Sequence, residues 1–400
     1  MLTFDQAIAR VLEQSPRLGP ERVTLSQARG RILAENIHAI EDMPAFDYSA
    51  MDGYALASAE ASAPGASLRV TSESRAGGET LLPLAKGQCA RIFTGARVPA
   101  GADAVEMQEN VTRTEEIALF AQPVRAGQNI RRRGEDLAKG ALALQKGTRL
   151  TPSRLSLLAA LGRVRVQVSR APVVTVLSTG DELREAEDPA REGSVIECIA
   201  VGVAALAAQC GAIVRIAPIV RDQREQVTEA VRLALEGSDL VVTVGGVSVG
   251  DHDLVRGCLT EAGVTLDFWR VALKPGKPLC LGHRGPQRVL GLPGNPASAL
   301  LTFALFGAPM LRAMQGDLAP RPMPLRAHPA RTVTHALGRQ EFVRVTLDTS
   351  VQPPVASPLA GQASGSVLSM AWADALMVLP ADRKEFLPEE SLEIIRMSDV

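Results

Sequence analysis

The segment from Pro172 to about Leu311 constrains the fold most, because apolar β-branched runs alternate there with helical patterns. The first run, "PVVTVLSTGDEL", ends in a polar glycine turn. A helical pattern closed by Gly211 follows, and "IVRIAPIV" is the next strand, which completes a βαβ unit. The segments that continue the alternation are "DQREQVTEAVRLALEG", "DLVVTVGG" and "RVLGLPGNPASALLTFALFG". Such alternation predicts a mostly parallel sheet covered by helices on both faces.

Three polar loops that contain glycine follow strands of this predicted sheet: "LSTGDEL", "VGGVSVGDHD" and "LPGNP". In open α/β sheets, ligands bind outside the carboxyl ends of the strands, so these loops should line one edge. Glycines let backbone amides approach an anion closely, and the loops add the carboxylates of Asp181, Glu182, Asp251 and Asp253. Amides and acids together favour a phosphate carried with a divalent metal such as Mg²⁺.

The predicted ligand-binding residues of the second and third loops are Gly245, Gly246, Ser248, Gly250, Pro293, Gly294 and Asn295. For Ser248 and Asn295, a purely local role in satisfying a turn is an equally good explanation. Pro296, directly after these loops, stands at the first position of the helix that follows, where proline is favoured.

A fourth segment, "WRVALKPGKP", carries two lysines on one turn. Pro275 and Gly276 separate Lys274 from Lys277, so a rigid turn presents two ammonium groups from one short stretch. Lysine acts as a point charge for phosphate or another oxyanion, and desolvating two lysines side by side without an anion would be costly. A fully exposed lysine turn is the alternative.

The length of 400 residues predicts several domains. Residues 1–45 and 136–170 show helical patterns, including a capping box at Thr3 and Gln6, and are predicted to form one domain. Residues 46–135, with short strands and turns, would be inserted into it. Residues 171–318 form the α/β domain, and 319–400 a β domain that begins with a linker, "APRPMPLRAHPA".

Composition excludes several classes of protein. A net charge of −1 and 3% aromatic residues argue against a nucleic-acid binder. The N-terminus lacks the signal-peptide pattern, and the longest apolar stretch, Ala299–Leu311, is interrupted by glycine and proline, so we expect a cytoplasmic protein without membrane contact. The five cysteines form no CxxC pair, which favours small buried side chains over a disulfide framework or a thiolate zinc site.

Seven motifs occur in one order along the chain: "SAMDGYA", "IFTGARVPAGAD", "RRRGEDL", "STGDEL", "GGVSVGDHD", "KPGKP" and "LPGNPASA". In this order they closely resemble the MoeA family of molybdopterin molybdenumtransferases, which also form one half of gephyrin-like proteins. The resemblance extends from about residue 1 to residue 400.

The resemblance implies a homodimer of four-domain subunits. Residues 171–318 would be the molybdopterin-binding domain, 1–45 with 136–170 the linker and dimerisation domain, and 319–400 a small β-barrel-like domain. The implied reaction inserts molybdenum from molybdate into adenylylated molybdopterin, requires Mg²⁺ and releases AMP to give the molybdenum cofactor. Implied further partners are the molybdopterin adenylyltransferase and molybdoenzyme delivery proteins.

Carried over by motif, the residues implied to act in catalysis are Asp52, Thr94, Asp136, Glu182, Asp222, Asp253 and Lys274. Glu182, Asp222 and Asp253 would hold Mg²⁺ and the pyrophosphate, while Lys274 and Lys277 would bind molybdate or phosphate. Asp52, Thr94 and Asp136 would come from the inserted domain of the partner subunit. For Asp222, a helix cap paired with Glu225 is an equally good explanation.

The chain departs from the family pattern after "EGSVI", where the family usually has an acid, a small hydroxyl residue and an asparagine. This chain has Glu197, Cys198 and Ile199. If the asparagine normally hydrogen-bonds the ligand, Ile199 would weaken the binding free energy by roughly 1 to 3 kcal/mol, because a polar group of the ligand would be left unpaired. This departure supports an alternative, a non-catalytic scaffold that binds or delivers molybdopterin. A second alternative is molybdopterin adenylylation, against which the additional domains argue.

Overall fold

The computed structural model describes residues 1–79, 82–246 and 254–399. The chain divides into two compact units. The larger unit comprises Met1–Glu35, Gly147–Leu155 and Val164–Val400, and the smaller unit comprises Asn36–Lys146 and Ser156–Arg163. The smaller unit is therefore inserted into the sequence of the larger one. The four domain boundaries given above stay a prediction.

A six-stranded sheet forms the centre of the larger unit. Its spatial order is Ile213–Ile216, Val173–Ser178, Leu240–Val244, Gln287–Leu292, Pro278–Arg284 and Thr265–Arg270. The first four strands are parallel, and only Pro278–Arg284 runs against its neighbours. The predicted mostly parallel sheet is confirmed.

Helices cover both faces of this sheet because successive side chains of each strand point to opposite sides. Along Leu240–Val244, Leu240 and Val242 pack on one face and Val241 on the other. The helices on the first face are Phe4–Glu13, Ile199–Gln209 and the run Pro296–Thr302, Phe303–Gly307 and Ala308–Met314, whose middle segment is π-helical. Those on the second face are Arg224–Leu235 and Leu254–Glu261.

Among the described residues, one helix is long and apolar enough to cross a membrane, Pro296–Met314, with a mean hydropathy of 1.4. It contains the apolar stretch noted in the sequence. Because 94% of it is buried inside the protein, it is the central helix of the larger unit's core. Pro296 occupies the first turn, as its position in the sequence predicts.

The C-terminal region forms a closed barrel. Its strands, in order around the ring, are Gln340–Asp348, Val355–Pro358, Leu325–Pro329, Leu392–Arg396 and Ala375–Leu379, and the last pairs again with the first. The short strand Leu273–Lys274 adds to Gln340–Asp348 from outside the ring. A short helix, Val367–Ala371, and the strand pair Val333–Thr334 and Glu385–Phe386 complete the region.

One sequence interpretation of this region is wrong. The segment read as a linker, residues 319–330, contains the barrel strand Leu325–Pro329. Its proline- and arginine-rich composition conceals the strand, because the ladder uses backbone groups and only Ala327 and Pro329 point into the interior. Composition reports side-chain preference, whereas pairing with Leu392–Arg396 decides the conformation.

The smaller unit is built on a second six-stranded sheet. Its spatial order is Ala104–Met107, Gly53–Leu56, Gln88–Ile92, Ala66–Ser74, Ile117–Phe120 and Val111–Thr114. The other short elements of the chain are the strand pairs Pro20–Thr24 with Arg165–Ser169, Ile37–His38 with Leu142–Leu144, Tyr48–Ser49 with Ile130–Arg131 and Leu183–Arg184 with Val195–Ile196, the helix Pro152–Ala160, and the 3₁₀ turns Ser58–Ala61, Gln108–Asn110 and Met397–Asp399.

The first helix joins the central helix to the barrel. Its predicted capping box is confirmed, since Thr3 accepts from the Gln6 amide at 3.2 Å and Gln6 accepts from the Thr3 amide at 3.0 Å. The ring of Phe4 lies 5.3 Å from that of Phe306 and 5.1 Å from that of Phe342, in edge and tilted contacts. One buried side chain thus packs against the sheet's central helix and against a barrel strand.

Phe4→Ala should therefore lower the free energy of unfolding of the larger unit by about 3 to 5 kcal/mol, because it removes a buried ring from a three-ring contact. Both tryptophans, Trp269 and Trp372, lie in the larger unit, so tryptophan fluorescence during urea unfolding reports on this unit alone. The control Leu233→Ala alters a residue that is 59% exposed and should change stability by less than about 0.5 kcal/mol. Equal effects of the two variants would contradict this account of the junction.

Candidate functional site

The described parts of the three predicted loops meet at one edge of the sheet of the larger unit. The last residues of three strands are direct neighbours across the ladder, with Ser178 paired to Val244 and Val244 paired to Leu292. A cavity of about 270 Å³ lies where these strands end. It is lined by Thr179, Glu182, Leu183, Val195, Ile196, Glu197, Cys198, Ile199, Val244, Gly245, Gly294, Pro296 and Gly365. The structure thus brings Glu182, Gly245 and Gly294 together around one cavity.

Glycines are required where the loops approach one another. Gly245 has φ +88°, and a Cβ atom there would lie 2.7 Å from the carbonyl oxygen of Thr179. A Cβ on Gly294 would lie 3.4 Å from the Cα of Gly245, so the two loops are in van der Waals contact. A Cβ on Gly246 would collide with Val255 at 2.1 Å. Backbone without side chains therefore forms this wall of the cavity, as an amide-lined anion site needs.

Three predicted residues of the second loop, Ser248, Gly250 and Asp253, lie outside the described residues. In the third loop, Pro293 is buried and Asn295 is exposed. Asn295 is the N-cap residue of the helix that begins at Pro296, yet its side chain makes no capping hydrogen bond. The side-chain amide of Asn295 therefore does not satisfy the turn, which was the alternative to ligand binding in the sequence analysis.

Acidic side chains gather at the other end of the same edge. Asp222 donates its backbone N–H to the Asp181 carboxylate at 3.2 Å, and Arg221 donates to the carbonyl oxygen of Asp181 at 2.7 Å. Burial, followed by the charges of Asp181 and Glu182, raises the pKa of Asp222. The charges of Asp181 and Glu182 therefore disfavour ionisation of Asp222.

The helix-cap explanation of Asp222 is wrong. The helix begins at Arg224, its N-cap residue is Gln223, and no side chain caps it. Asp222 stands one residue too early, because the chain is still extended at Gln223. Its carboxylate is free of that structural task.

Among the residues that the structure describes, no group of three His, Cys, Asp or Glu side chains lies close enough to hold a metal ion. The third predicted ligand, Asp253, is outside that range. Nevertheless, the oxygen donors present suit Mg²⁺, and a divalent cation would counter the burial and the neighbouring acidic charges that raise the pKa of Asp222. The carboxylate oxygens of Glu182 and Asp222 thus match the chemistry of the predicted metal, and the third carboxylate of the prediction is Asp253.

Glu197, which sequence reasoning did not select, organises the departure from the family pattern. Its Oε1 atom accepts the backbone N–H groups of Ile199 and Ala200 at 2.9 Å each and the hydroxyl of Ser178 at 3.2 Å. It thereby satisfies the first amides of the helix Ile199–Gln209, which the N-cap residue Cys198 does not. The sequence did contain a signal for this capping role, since Glu197 is an acid directly before a predicted helix.

Cys198 and Ile199 differ in their surroundings. Cys198 is exposed at the cavity, where partial burial and then the Glu197 charge raise the pKa of its thiol. Ile199 is only 6% exposed and belongs to the apolar core that includes Val203 and Leu292. The residue that replaces the family asparagine therefore turns largely into the core.

The two lysines of "KPGKP" have different partners. The Nζ atom of Lys274 lies 3.0 Å from Oε1 of Glu341, whereas Lys277 forms no ion pair with any residue in the described ranges. Gly276 has φ +110°, and a Cβ there would lie 2.4 Å from the methyl carbon of Thr302, so the turn packs on the helix whose first residue, Pro296, lines the cavity. The Glu341 carboxylate therefore supplies part of the negative charge that compensates Lys274.

The remaining predicted residues lie in the smaller unit. Asp52 accepts hydrogen bonds from both the amide and the hydroxyl of Thr94, each at 2.8 Å. These bonds, and to a lesser extent the charge of Arg91, lower the pKa of Asp52. The structure therefore brings Asp52 and Thr94 into direct contact.

Asp136 lies in a network of charges on the same unit. Arg131 pairs with Asp136, Arg132 with Asp47 at 2.7 Å, and Arg133 with Asp42 at 2.6 Å. The negative charge of Asp136, followed by that of Glu135, raises the pKa of Arg131. The three arginines of the "RRRGEDL" motif are thus each paired with an acid.

Gly365 and Thr179 line the cavity but were also not predicted. Gly365 belongs to a connection between barrel strands, and the carbonyl oxygen of Ser364 accepts from the amide of Ser298 at 3.3 Å. The glycine- and serine-rich composition of "GQASGS" marks a loop. Nothing local in it indicates contact with a segment 66 residues earlier.

Comparison with known proteins identifies the family. Models described as "MoeA N-terminal region (domain I and II)", "Probable molybdopterin binding domain" and "MoeA C-terminal region (domain IV)" match residues 2–162, 175–313 and 326–396. A Haemophilus influenzae protein named molybdopterin molybdenumtransferase is 39% identical over 347 residues, which are 86% of this chain and 85% of the relative. This chain belongs to the MoeA family. It is an enzyme of molybdenum cofactor biosynthesis.

Further relatives are similar to nearly the whole of this MoeA chain. A Bacillus subtilis protein of the same name is 32% identical and covers 98% of this chain and 94% of its own length. A crystal structure of the molybdopterin biosynthesis MoeA protein from Pyrococcus horikoshii has a TM-score of 0.87 at 28% identity and covers 99% of this chain and 100% of that chain. The multidomain architecture predicted from the sequence is confirmed.

Ile199→Asn, which would reintroduce the family asparagine, should destabilise the protein by about 2 to 4 kcal/mol, because it removes an aliphatic side chain from the core and buries an amide. The control Val201→Asn changes a residue of the same helix that is 64% exposed, so its effect should be within about 0.5 kcal/mol. Urea unfolding followed by tryptophan fluorescence measures both. An unchanged or raised stability of Ile199→Asn would contradict the packing of residue 199 in the core.

Proposed function

We propose that this protein inserts molybdenum from molybdate into adenylylated molybdopterin, in a Mg²⁺-dependent reaction that releases AMP and yields the molybdenum cofactor. The observation that carries the proposal is the cavity at the shared carboxyl edge of a MoeA-family sheet, lined by the glycine loops and by Glu182. Relatives that align with most of this chain carry the name molybdopterin molybdenumtransferase, which supports the same activity.

The cavity is lined by both apolar side chains and glycine backbone, which suits a substrate with an organic ring and a charged tail. Leu183, Val195 and Ile196 supply apolar surface, whereas Gly245 and Gly294 expose backbone. We assign the pterin to the apolar side and the phosphates to the glycine loops, where backbone amides can donate to phosphate oxygens. Ser248, Gly250 and Asn295 are proposed to add hydrogen bonds there.

In the proposed reaction the two dithiolene thiols of molybdopterin form bonds to molybdenum, while one oxygen of molybdate leaves with the two thiol protons as water. Water adds across the phosphoanhydride bond, and AMP leaves. Lys274 and Lys277 are proposed to hold the molybdate oxyanion, since an ammonium group attracts it without regard to its exact orientation. Binding both reactants at one edge would replace an encounter in solution by a positioned one.

Glu182 and Asp222 are proposed to hold Mg²⁺ together with Asp253. When bound there, Mg²⁺ would neutralise the oxygens of the pyrophosphate group. Burial, and then the charges of Asp181 and Glu182, raise the pKa of Asp222, and these neighbouring acids support the proposal.

The predicted homodimer is carried forward as part of the proposal, with Asp52, Thr94 and Asp136 acting in the site of the partner subunit. Sedimentation gives the oligomeric state. If each site draws residues from two subunits, mixing inactive Asp52→Ala with inactive Lys274→Ala should restore activity, because one of the two sites in a mixed dimer is intact. Failure of the mixture to gain activity in a protein shown to exchange subunits would contradict a shared site.

The deciding experiment measures AMP release by chromatography from adenylylated molybdopterin and Mg²⁺, with and without molybdate. Molybdate-dependent AMP together with a metal-loaded cofactor supports the proposal. Tight binding of the pterin without AMP would favour a scaffold instead, the alternative that the buried Ile199 supports. ATP consumption with pyrophosphate release would favour adenylylation.

Asp222→Asn tests the metal assignment without an activity assay. Because the pKa of Asp222 is raised in the folded state, its ionised form destabilises the fold at pH values above that pKa. In EDTA at pH 7, Asp222→Asn should therefore have a thermal midpoint equal to or above that of the wild type. In MgCl₂ the wild type should gain stability and the variant should lose most of that gain.

The matched control is Asp348→Asn in the barrel. Hydrogen bonds from Ser350 lower the pKa of Asp348, so its ionised form stabilises the fold at pH 7 and this stabilisation is lost as the pH falls through the lowered pKa. Its replacement should lower the midpoint in EDTA and leave the gain from MgCl₂ intact. A gain from MgCl₂ that is undiminished in Asp222→Asn would refute the metal assignment.

A further inference from the structure

Lys274 is tied to the barrel by a carboxylate that no motif indicates. Its Nζ atom lies 3.0 Å from Oε1 and 3.2 Å from Oε2 of Glu341. The two residues are direct partners in the ladder between Leu273–Lys274 and Gln340–Asp348. Glu341 is 8% exposed, whereas 47% of the Lys274 side chain is accessible. One side of the ammonium group thus faces a buried carboxylate and the other faces solvent.

The surroundings of Glu341 are basic. His335 has its Nδ1 atom 3.5 Å from Oε2 of Glu341, and its Nε2 atom donates to the carbonyl oxygen of Arg383 at 2.6 Å, which fixes the ring. Arg344, completely buried on the same strand, is the other nearby cation. The Glu341 carboxylate thus lies near two side chains that are always cationic, Lys274 and Arg344.

Arg344 connects the same strand to the cavity wall. Its Nη2 atom donates to the carbonyl oxygens of Gly361 and Ala363 at 3.0 and 3.1 Å, in the loop that contains Gly365. Burial lowers the pKa of Arg344, and the Glu341 charge opposes this shift. The strand Gln340–Asp348 therefore holds a loop of the cavity with one residue and the lysine of "KPGKP" with another.

We propose that Glu341 is a positioning residue for oxyanion binding, which holds the Lys274 ammonium in place so that its remaining N–H is directed to the anion. This inference rests on the proposed function, which assigns molybdate to Lys274. A free lysine side chain loses considerable rotamer freedom when it binds an anion, and a side chain already held by a carboxylate loses less. Glu341 does not touch the substrate in this role and acts only through Lys274.

Simple electrostatics predicts the opposite effect of removing Glu341. Loss of a negative charge near the site should strengthen the attraction of an anion if position did not matter. Positioning predicts weaker binding instead, because the lysine becomes free to move. The sign of the change in affinity therefore separates the two explanations.

The experiment is isothermal titration of sodium molybdate into the full-length protein, for wild type, Glu341→Gln, Lys274→Ala and the double variant. We expect Glu341→Gln to weaken molybdate binding about tenfold. In the Lys274→Ala background the same change should have no further effect, since Glu341 acts only through that lysine. Unchanged or tighter binding by Glu341→Gln would overturn the inference, as would an equal loss in both backgrounds.

The matched control is Glu393→Gln, which removes a carboxylate from another barrel strand, where Glu393 lies 3.5 Å from Arg326 at the surface. It should bind molybdate like the wild type. Steady-state kinetics give a second readout: positioning raises the KM for molybdate in Glu341→Gln with a smaller change in kcat, whereas a merely damaged barrel lowers kcat alone, which would count against the inference.

The two proposals can fail separately. Molybdate-dependent AMP release by the wild type tests the proposed function, and the comparison among variants tests the role of Glu341. If the wild type releases AMP and Lys274→Ala loses binding while Glu341→Gln does not, only the positioning role is refuted. If the wild type neither binds molybdate nor releases AMP, the proposed function is refuted and this inference with it.

Discussion

Parallel pairing of three strands is the constraint on which the site depends. Because Ser178, Val244 and Leu292 are neighbours in register, the loops that follow them begin at the same level of one sheet edge. Each loop alone is an ordinary glycine turn, and together they enclose a cavity. The hydrophobic faces that hold the sheet between its helices therefore also hold the loops, so core packing and ligand geometry share one cause.

Charges of opposite sign are kept apart at this edge by different elements. The acids follow the strand that ends at Ser178 and precede the helix that starts at Arg224, whereas the lysines stand on a turn packed against the helix that starts at Pro296. Lys274 is held by a neighbour outside the cavity, Glu341 on the barrel. In the proposed function, the acids that bind the cation and the lysines that bind the anion therefore belong to separate elements.

Much of this organisation could be predicted from residue order. Alternating periodicity gave the parallel sheet and its two helical layers, and local chemistry gave the capping box at Thr3 and the proline start at Pro296. Prediction failed where backbone pairing or a single residue of offset decided the outcome. The strand Leu325–Pro329 has the composition of a linker, and Asp222 precedes the true N-cap by one residue. The predicted catalytic and binding roles remain predictions.

The sequence by itself determined which loops carry glycine, acid and lysine, because these properties depend on residue type and on spacing within a few positions. Only the tertiary structure decided that Glu197 caps the helix beside the cavity, that Ile199 turns into the core, and that Lys274 meets a carboxylate 67 residues away. The physical reason is that hydrogen bonds and ion pairs depend on distances of about 3 Å. Such distances between remote segments are set by the packing of whole layers, which no local pattern encodes.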